Sequence, residues 1–106
     1  MKKQDILEEE ANIVYLSIGS NLGNKKTNIE QTKYLLTSKY NEILSVSSNY
    51  ETLSWPNPKH PKFLNIIVKI KTTLNLNNLF ILIKNIEKKM GRKQKAKNLP
   101  RECDID

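Results

Sequence analysis

The order of hydrophobic and polar positions along the first forty residues predicts a strand followed by a helix. Ile13–Ile18 is a β-rich run closed by a glycine, and its even-numbered apolar positions alternate with period two. The polar turn Gly19–Asn24 leads to Thr27-x-x-Glu30, a capping-box pattern, so a helix is expected to run to about Lys39. Its predicted buried stripe consists of Ile29, Leu35, Leu36 and Tyr40.

The middle of the chain predicts two more strands with a stiff loop between them. Ile43–Tyr50 is expected to be the second strand, and Thr52–Pro61 is expected to be a loop because it contains three prolines. Phe63–Thr73 predicts the third strand, since its even-numbered positions form one continuous apolar face. That face consists of Leu64, Ile66, Val68 and Ile70.

A second helix is predicted from about Leu76 to Met90, and Gly91 directly after it is expected to terminate the helix. After a basic loop, Glu102–Asp106 begins a fourth extended segment. The apolar side of the helix is predicted to comprise Leu76, Leu79, Phe80, Ile83, Ile86 and Met90.

The resulting order β-α-β-β-α-β predicts an α+β fold of the ferredoxin-like kind, with two helices on one face of a sheet. Residues 1–12 are expected to be a polar N-terminal lead-in, and residues 13–106 suffice for one domain. The sequence stops in the middle of its fourth strand, straight after Asp106. We therefore expect this domain to be incomplete at its C-terminus and poorly active by itself.

Composition limits the cellular location and the kinds of partner that we expect for this protein. Cys103 is the only cysteine, so an intrachain disulfide is excluded and a reducing cytoplasm is expected. No apolar run approaches the roughly 18 residues of a membrane span, and no partner membrane is expected. The net charge is +7, and six lysines, two arginines and one glutamate between Lys84 and Arg101 account for all of it. This patch predicts an anionic partner such as a nucleotide phosphate, although a solvated helix face with a basic loop would look the same.

Arginine is scarce, since only Arg92 and Arg101 stand among 18 basic residues. A guanidinium offers a planar fork for phosphate oxygens that lysine lacks, so these two positions are candidate phosphate contacts. The turn Gly-Ser-Asn-Leu-Gly lacks the spacing of a phosphate-binding Walker loop and is predicted to be only a strand-to-helix turn.

Asp104 and Asp106 are two residues apart in the fourth strand, so their carboxylates should project from one face. Cys103 and Ile105 should then turn to the core. Paired carboxylates suit Mg²⁺, which takes one or two of them together with substrate phosphates. A plain exposed strand end remains the alternative.

Asn65 is unusual inside an apolar strand and is either an edge residue facing water or part of a binding face beside Phe63. An amide and an aromatic ring together suit a flat heterocycle. The lone tryptophan, Trp55, allows either simple packing or a role in the same site.

Five blocks of the sequence together resemble the 6-hydroxymethyl-7,8-dihydropterin pyrophosphokinase family of folate synthesis. The matching blocks are YLSIGSNLGN (Tyr15–Asn24), VSSNYET (Val46–Thr52), FLN (Phe63–Asn65), IEKKMGR (Ile86–Arg92) and PRECDID (Pro100–Asp106).

This resemblance implies an ATP-dependent transfer of pyrophosphate to the pterin hydroxymethyl group, with release of AMP. It implies two Mg²⁺ ions on Asp104 and Asp106. ATP would be bound by Lys84, Glu87, Arg92 and Arg101, the two arginines acting catalytically on the phosphates. The pterin would be bound by Thr52, Trp55, Phe63 and Asn65. ATP and a pterin are then the expected partners of a monomer, with no nucleic acid.

The main alternative is a basic RNA-recognition module, which shares the βαββαβ order. Its aromatic, glycine-containing third-strand signature is missing from FLNIIVKIKTT, and it leaves Asp104 and Asp106 unexplained. A small regulatory domain of the same topology is a further alternative.

Overall fold

The computed structural model describes residues 10–91 and 99–106, which form two helices and one antiparallel sheet of five strands. An α+β fold is thereby confirmed. In chain order the elements are β1 (Asn12–Ser20), α1 (Lys25–Leu36), β2 (Asn41–Val46), β3 (Tyr50–Thr52), β4 (Phe63–Thr72), α2 (Leu76–Lys89) and β5 (Asp104–Ile105).

The sheet is built on the long pairing of β1 with β4, which runs from Asn12 opposite Thr72 to Ser20 opposite Leu64. The strand order is β2-β4-β1-β5, and β3 pairs with the N-terminal end of β4. Every one of these pairings is antiparallel. The short strand β5 therefore lies beside β1, with Asp104 opposite Gly19.

The core lies between the two helices and one face of the sheet. Alternate residues of β1 and β4 point to that face, as the period-two pattern predicts. Leu16 and Ile18 of β1 and Ile66, Val68 and Ile70 of β4 are all buried. They form one cluster with Ile29, Leu36, Leu79, Ile86, Cys103 and Ile105.

Helix α1 begins earlier and ends earlier than predicted. Asn24 is its N-cap, and the Asn24 side chain accepts a hydrogen bond from the Thr27 backbone N–H at 3.1 Å. The prediction of a capping box at Thr27 and Glu30 was therefore wrong, because Asn24 already serves as the cap. The helix ends at Leu36, so Tyr40 lies outside it and is exposed.

Helix α2 has close to its predicted length, but its buried side differs. Asn75 caps its N-terminus, and Gly91 follows its end with φ of 105°, a conformation that favours glycine. Leu76 and Phe80 were predicted to be buried but are exposed, whereas Glu87 is buried. No described helix is long and apolar enough to cross a membrane.

The single predicted strand Ile43–Tyr50 is divided into β2 and β3. Ser47 lies just after β2, and its Oγ accepts a hydrogen bond from the Ile67 N–H at 2.8 Å. The Ser47 N–H still donates to the Ile67 carbonyl at 2.9 Å, so the side chain replaces one backbone acceptor here, and regular pairing resumes at Tyr50.

Candidate functional site

Gly19 lies between Asn65 and Asp104 in one row across the sheet. It pairs with Asn65 of β4 on one side and with Asp104 of β5 on the other. Paired residues of neighbouring strands point to the same face, so the amide and the carboxylate flank a position without a side chain. A Cβ at Gly19 would lie 2.6 Å from Asn65 Oδ1 and 3.2 Å from Phe63 Cδ1. Glycine is therefore required for this close approach.

Asn65 is buried on a central strand, so the prediction of an edge residue facing water was wrong. Its Nδ2 donates to Thr52 Oγ1 at 3.0 Å and to the Tyr50 carbonyl at 3.3 Å. The amide thus ties β3 to β4 beside Phe63. Two of the predicted pterin residues, Thr52 and Asn65, are joined directly by this bond.

A pocket of about 470 Å³ opens where the end of β1, the start of β4, α2, β5 and the loop of residues 53–61, called here the proline loop, meet. It brings together seven of the ten predicted site residues: Trp55, Phe63, Lys84, Glu87, Arg101, Asp104 and Asp106. Thr52, which pairs with Phe63 across β3 and β4, and Asn65 do not line it. Arg92 lies outside the described residues.

One wall of the pocket is apolar and exposed to solvent. Leu53 and Trp55 of the proline loop are 63% and 80% exposed, and both line the pocket with the half-buried Phe63. The alternative to a role of Trp55 in the site was simple packing, and the exposure of its side chain contradicts that alternative. Large apolar side chains left in water beside a pocket are typical of a surface that covers a ligand.

A second wall of the pocket is charged and is formed by β5 and the residues before it. Arg101 Nη1 donates to Asp104 Oδ1 at 2.9 Å, and the two side chains are 16% and 28% exposed. Asp106 is exposed, while Cys103 and Ile105 are buried, as the strand alternation predicted. The backbone of Asp106 exchanges hydrogen bonds with Ser17 of β1, which fixes the strand to the sheet.

Glu87 and Lys84 approach the charged wall from α2. Glu87 is buried, and its Oε2 accepts a hydrogen bond from the Ile105 N–H at 2.9 Å. Its Oε1 accepts from Lys84 Nζ at 3.3 Å, and the Lys84 side chain is half exposed at the pocket. The buried carboxylate therefore holds the strand that carries Asp104 and also holds a cationic side chain at the rim.

The pocket also contains Asn21 and Ser54, which the sequence analysis did not select as site residues. Both are buried, and Asn21 Nδ2 donates to Ser54 Oγ at 2.9 Å. Asn21 belongs to the segment predicted only as a turn. The sequence feature that could have identified Asn21 is its position directly after a buried strand, where the hydrogen-bonding groups of an amide must find partners.

Asp104 and Asp106 offer hard oxygen donors of the kind that Mg²⁺ prefers. Among the described residues, no group of three or more His, Cys, Asp and Glu side chains could hold a metal by itself. The two carboxylates therefore fit an ion that completes its coordination with phosphate oxygens and water, as Mg²⁺ typically does. They do not form an all-protein cage.

The family model described as 7,8-dihydro-6-hydroxymethylpterin-pyrophosphokinase (HPPK) matches residues 15–106. The chain belongs to the HPPK family. This match includes every residue that lines the pocket. It confirms the resemblance seen in the sequence and does not favour the RNA-recognition alternative.

Curated relatives agree with this HPPK assignment. A 2-amino-4-hydroxy-6-hydroxymethyldihydropteridine pyrophosphokinase of Aquifex aeolicus is 40% identical over 93 residues, which are 88% of this chain and 58% of the relative. The Bacillus subtilis protein of the same name is 38% identical over 96 residues, 90% of this chain and 58% of its own length. A pea protein named folate synthesis bifunctional protein, mitochondrial, is 33% identical over 93 residues, 88% of this chain and 18% of that protein. The chain thus spans about 58% of the length of the bacterial relatives.

Proposed function

We propose that this HPPK chain carries the site for transfer of pyrophosphate from ATP to the hydroxymethyl group of 6-hydroxymethyl-7,8-dihydropterin. The products are AMP and the pterin diphosphate. The observation that carries the proposal is a single pocket whose lining combines an aromatic wall, Trp55 and Phe63, with a charged wall, Arg101, Asp104 and Asp106. The name of the bacterial relatives supports the same reaction.

The aromatic wall is the proposed pterin site. Phe63 stacks on the flat bicyclic ring, and Trp55 covers it from the proline loop. Asn65 presents its amide to the ring edge, held by Thr52 Oγ1 at 3.0 Å. Because Nδ2 already donates to β3, the carbonyl oxygen Oδ1 is the atom that would accept from a pterin N–H.

The charged wall is the proposed site for magnesium and the phosphates. Asp104 and Asp106 would hold two Mg²⁺ ions, and these ions would supply positive charge beside the ATP phosphates. Arg101 binds phosphate with the part of its guanidinium that faces away from Asp104, and Lys84 adds a second positive charge from α2. Glu87 also lines the part of the pocket that we assign to ATP. We propose Arg92 as a further phosphate ligand.

In the proposed reaction, the pterin hydroxyl oxygen forms a bond to the β-phosphorus of ATP. The bond between that phosphorus and the oxygen shared with the α-phosphate breaks, so AMP leaves with the electron pair and the hydroxyl proton passes to solvent. Such a transfer depends mainly on alignment and on charge neutralisation. The chain's contribution is therefore to hold ring and phosphates on two walls of one pocket.

The finer description of the fold also belongs to this proposal. A ferredoxin-like arrangement is supported by the order β2-β4-β1-β5 with antiparallel neighbours and by both helices contributing to one core. We further propose a monomer that acts on two small molecules, ATP and the pterin.

The test is a single-turnover assay in which the chain is in excess over radiolabelled ATP with Mg²⁺. Excess chain allows a slow transfer to be detected. AMP should form only when 6-hydroxymethyl-7,8-dihydropterin is present, in equal amount with the pterin diphosphate. ADP as the nucleotide product, or no AMP above a chain-free control, would contradict the proposal.

A further inference from the structure

Asn21 directly follows β1 and is 2% exposed. One end of its amide contacts the segment that carries the charged wall. Oδ1 accepts a hydrogen bond from the Arg101 backbone N–H at 2.8 Å, and the Asn21 N–H donates to the Arg101 carbonyl at 3.0 Å. This reciprocal pair fixes the backbone from which the Arg101 side chain reaches Asp104.

The other end of the same amide holds both ends of the proline loop. Nδ2 donates to Ser54 Oγ at 2.9 Å and to the Pro61 carbonyl at 3.0 Å. Ser54 Oγ donates to that carbonyl at 2.6 Å. The loop between these two residues carries Trp55, so one buried side chain fixes the base of the apolar wall.

We infer that Asn21 is a positioning residue that couples the two walls, so that a ligand on one wall favours binding on the other. The inference rests on the proposed function. An amide suits this role because its oxygen accepts from the Arg101 segment while its nitrogen donates to the loop. An aspartate has acceptors only, and an alanine has neither.

The experiment measures a coupling factor by isothermal titration. This factor is the ratio of the Kd of 6-hydroxymethylpterin without nucleotide to its Kd with saturating Mg²⁺ and α,β-methylene ATP, in which the reacting bridge cannot be cleaved. For the wild-type chain we expect a factor of about 5 or more, the usual lower range for coupled sites. A residue that only stabilises the fold would change both Kd values and leave their ratio unchanged.

Asn21→Ala should reduce the factor to about 1, since both connections through the side chain are lost. Asn28→Ala is the matched control. Asn28 Nδ2 donates to Ser20 Oγ and the Leu22 carbonyl in the same turn and has no hydrogen bond to the proline loop or to Arg101. This variant should keep the wild-type factor.

Ser54→Ala provides a second variant in case Asn21→Ala does not fold. It removes the hydroxyl link and leaves the Arg101 contacts, and it should lower the factor by about half or more. A coupling factor of 1 in the wild-type chain would overturn this inference alone. So would a factor equal to that of the wild type in both Ser54→Ala and a folded Asn21→Ala. A wild-type chain that binds neither ligand would overturn the proposed function, and the inference with it.

Discussion

The buried carboxylate of Glu87 accepts a hydrogen bond from the backbone N–H of Ile105 at 2.9 Å. Strand β5 is at the edge of the sheet formed by the described residues, and an edge strand leaves its outer N–H groups without a strand partner. Helix α2 supplies that partner through Glu87. The position of Asp104, the residue before Ile105, therefore depends on a helix residue that precedes Ile105 by 18 positions in the chain.

Replacement of Glu87 by alanine should destabilise the fold, because the Ile105 N–H would remain buried without this acceptor. We expect a loss of about 1–3 kcal/mol in the free energy of unfolding, measured by urea denaturation. Glu87→Gln should lose less, since its amide oxygen can still accept the bond. Glu30→Ala is the control, because Glu30 is exposed and forms a surface ion pair with Lys33, so the expected loss is within about 0.5 kcal/mol. Equal stability of Glu87→Ala and wild type would contradict this account of β5.

Replacement of Gly19 by alanine should weaken pterin binding. The added Cβ would lie 2.6 Å from Asn65 Oδ1 and would displace both the amide and Phe63. Overpacking of this kind costs about 1–3 kcal/mol, so the Kd of 6-hydroxymethylpterin should rise by roughly 5- to 100-fold in a fluorescence titration.

Ser17→Ala is the control for Gly19→Ala, since Ser17 lies two residues earlier on the same face of β1. Its pterin Kd should match that of the wild type. If Gly19→Ala also binds the pterin like the wild type, Asn65 is not the residue that contacts the ring edge.

Replacement of Arg101 by lysine should weaken nucleotide binding although the charge is kept. A lysine ammonium cannot contact Asp104 and a phosphate with one rigid fork, so we expect the Kd of Mg²⁺ with α,β-methylene ATP to rise by about tenfold. Lys33→Arg is the control for the exchange itself, because Lys33 lies on α1 in an exposed pair with Glu30. An unchanged Kd in Arg101→Lys would exclude a specific phosphate contact by the guanidinium.

The strands and the core were largely predictable because period-two alternation depends only on neighbouring residues. Ile66, Val68 and Ile70 were expected on one apolar face and are buried there. The side of helix α2 that faces the core was less predictable. Leu76 and Phe80 continue the apolar spacing of α2, yet the helix turns them to solvent and buries Glu87. A pattern cannot show that a carboxylate is needed beneath an edge strand.

The candidate site was predictable where a residue's chemistry stands out in the sequence. The two aspartates, the scarce arginines and an asparagine within an apolar strand all drew attention for physical reasons. Asn21 did not, because its role depends on hydrogen bonds to Ser54, Pro61 and Arg101, up to 80 positions away. Such a connection exists only once the proline loop and β5 have come together.

The central claim is that Asp104 and Asp106 bind the nucleotide through magnesium, and isothermal titration tests it most directly. Titration of the chain with α,β-methylene ATP should show binding with Mg²⁺ and little or none with EDTA. Replacement of both residues by asparagine keeps their size and should abolish the Mg²⁺-dependent part. Nucleotide binding that is equally strong without Mg²⁺, or that persists in the double variant, would contradict the account.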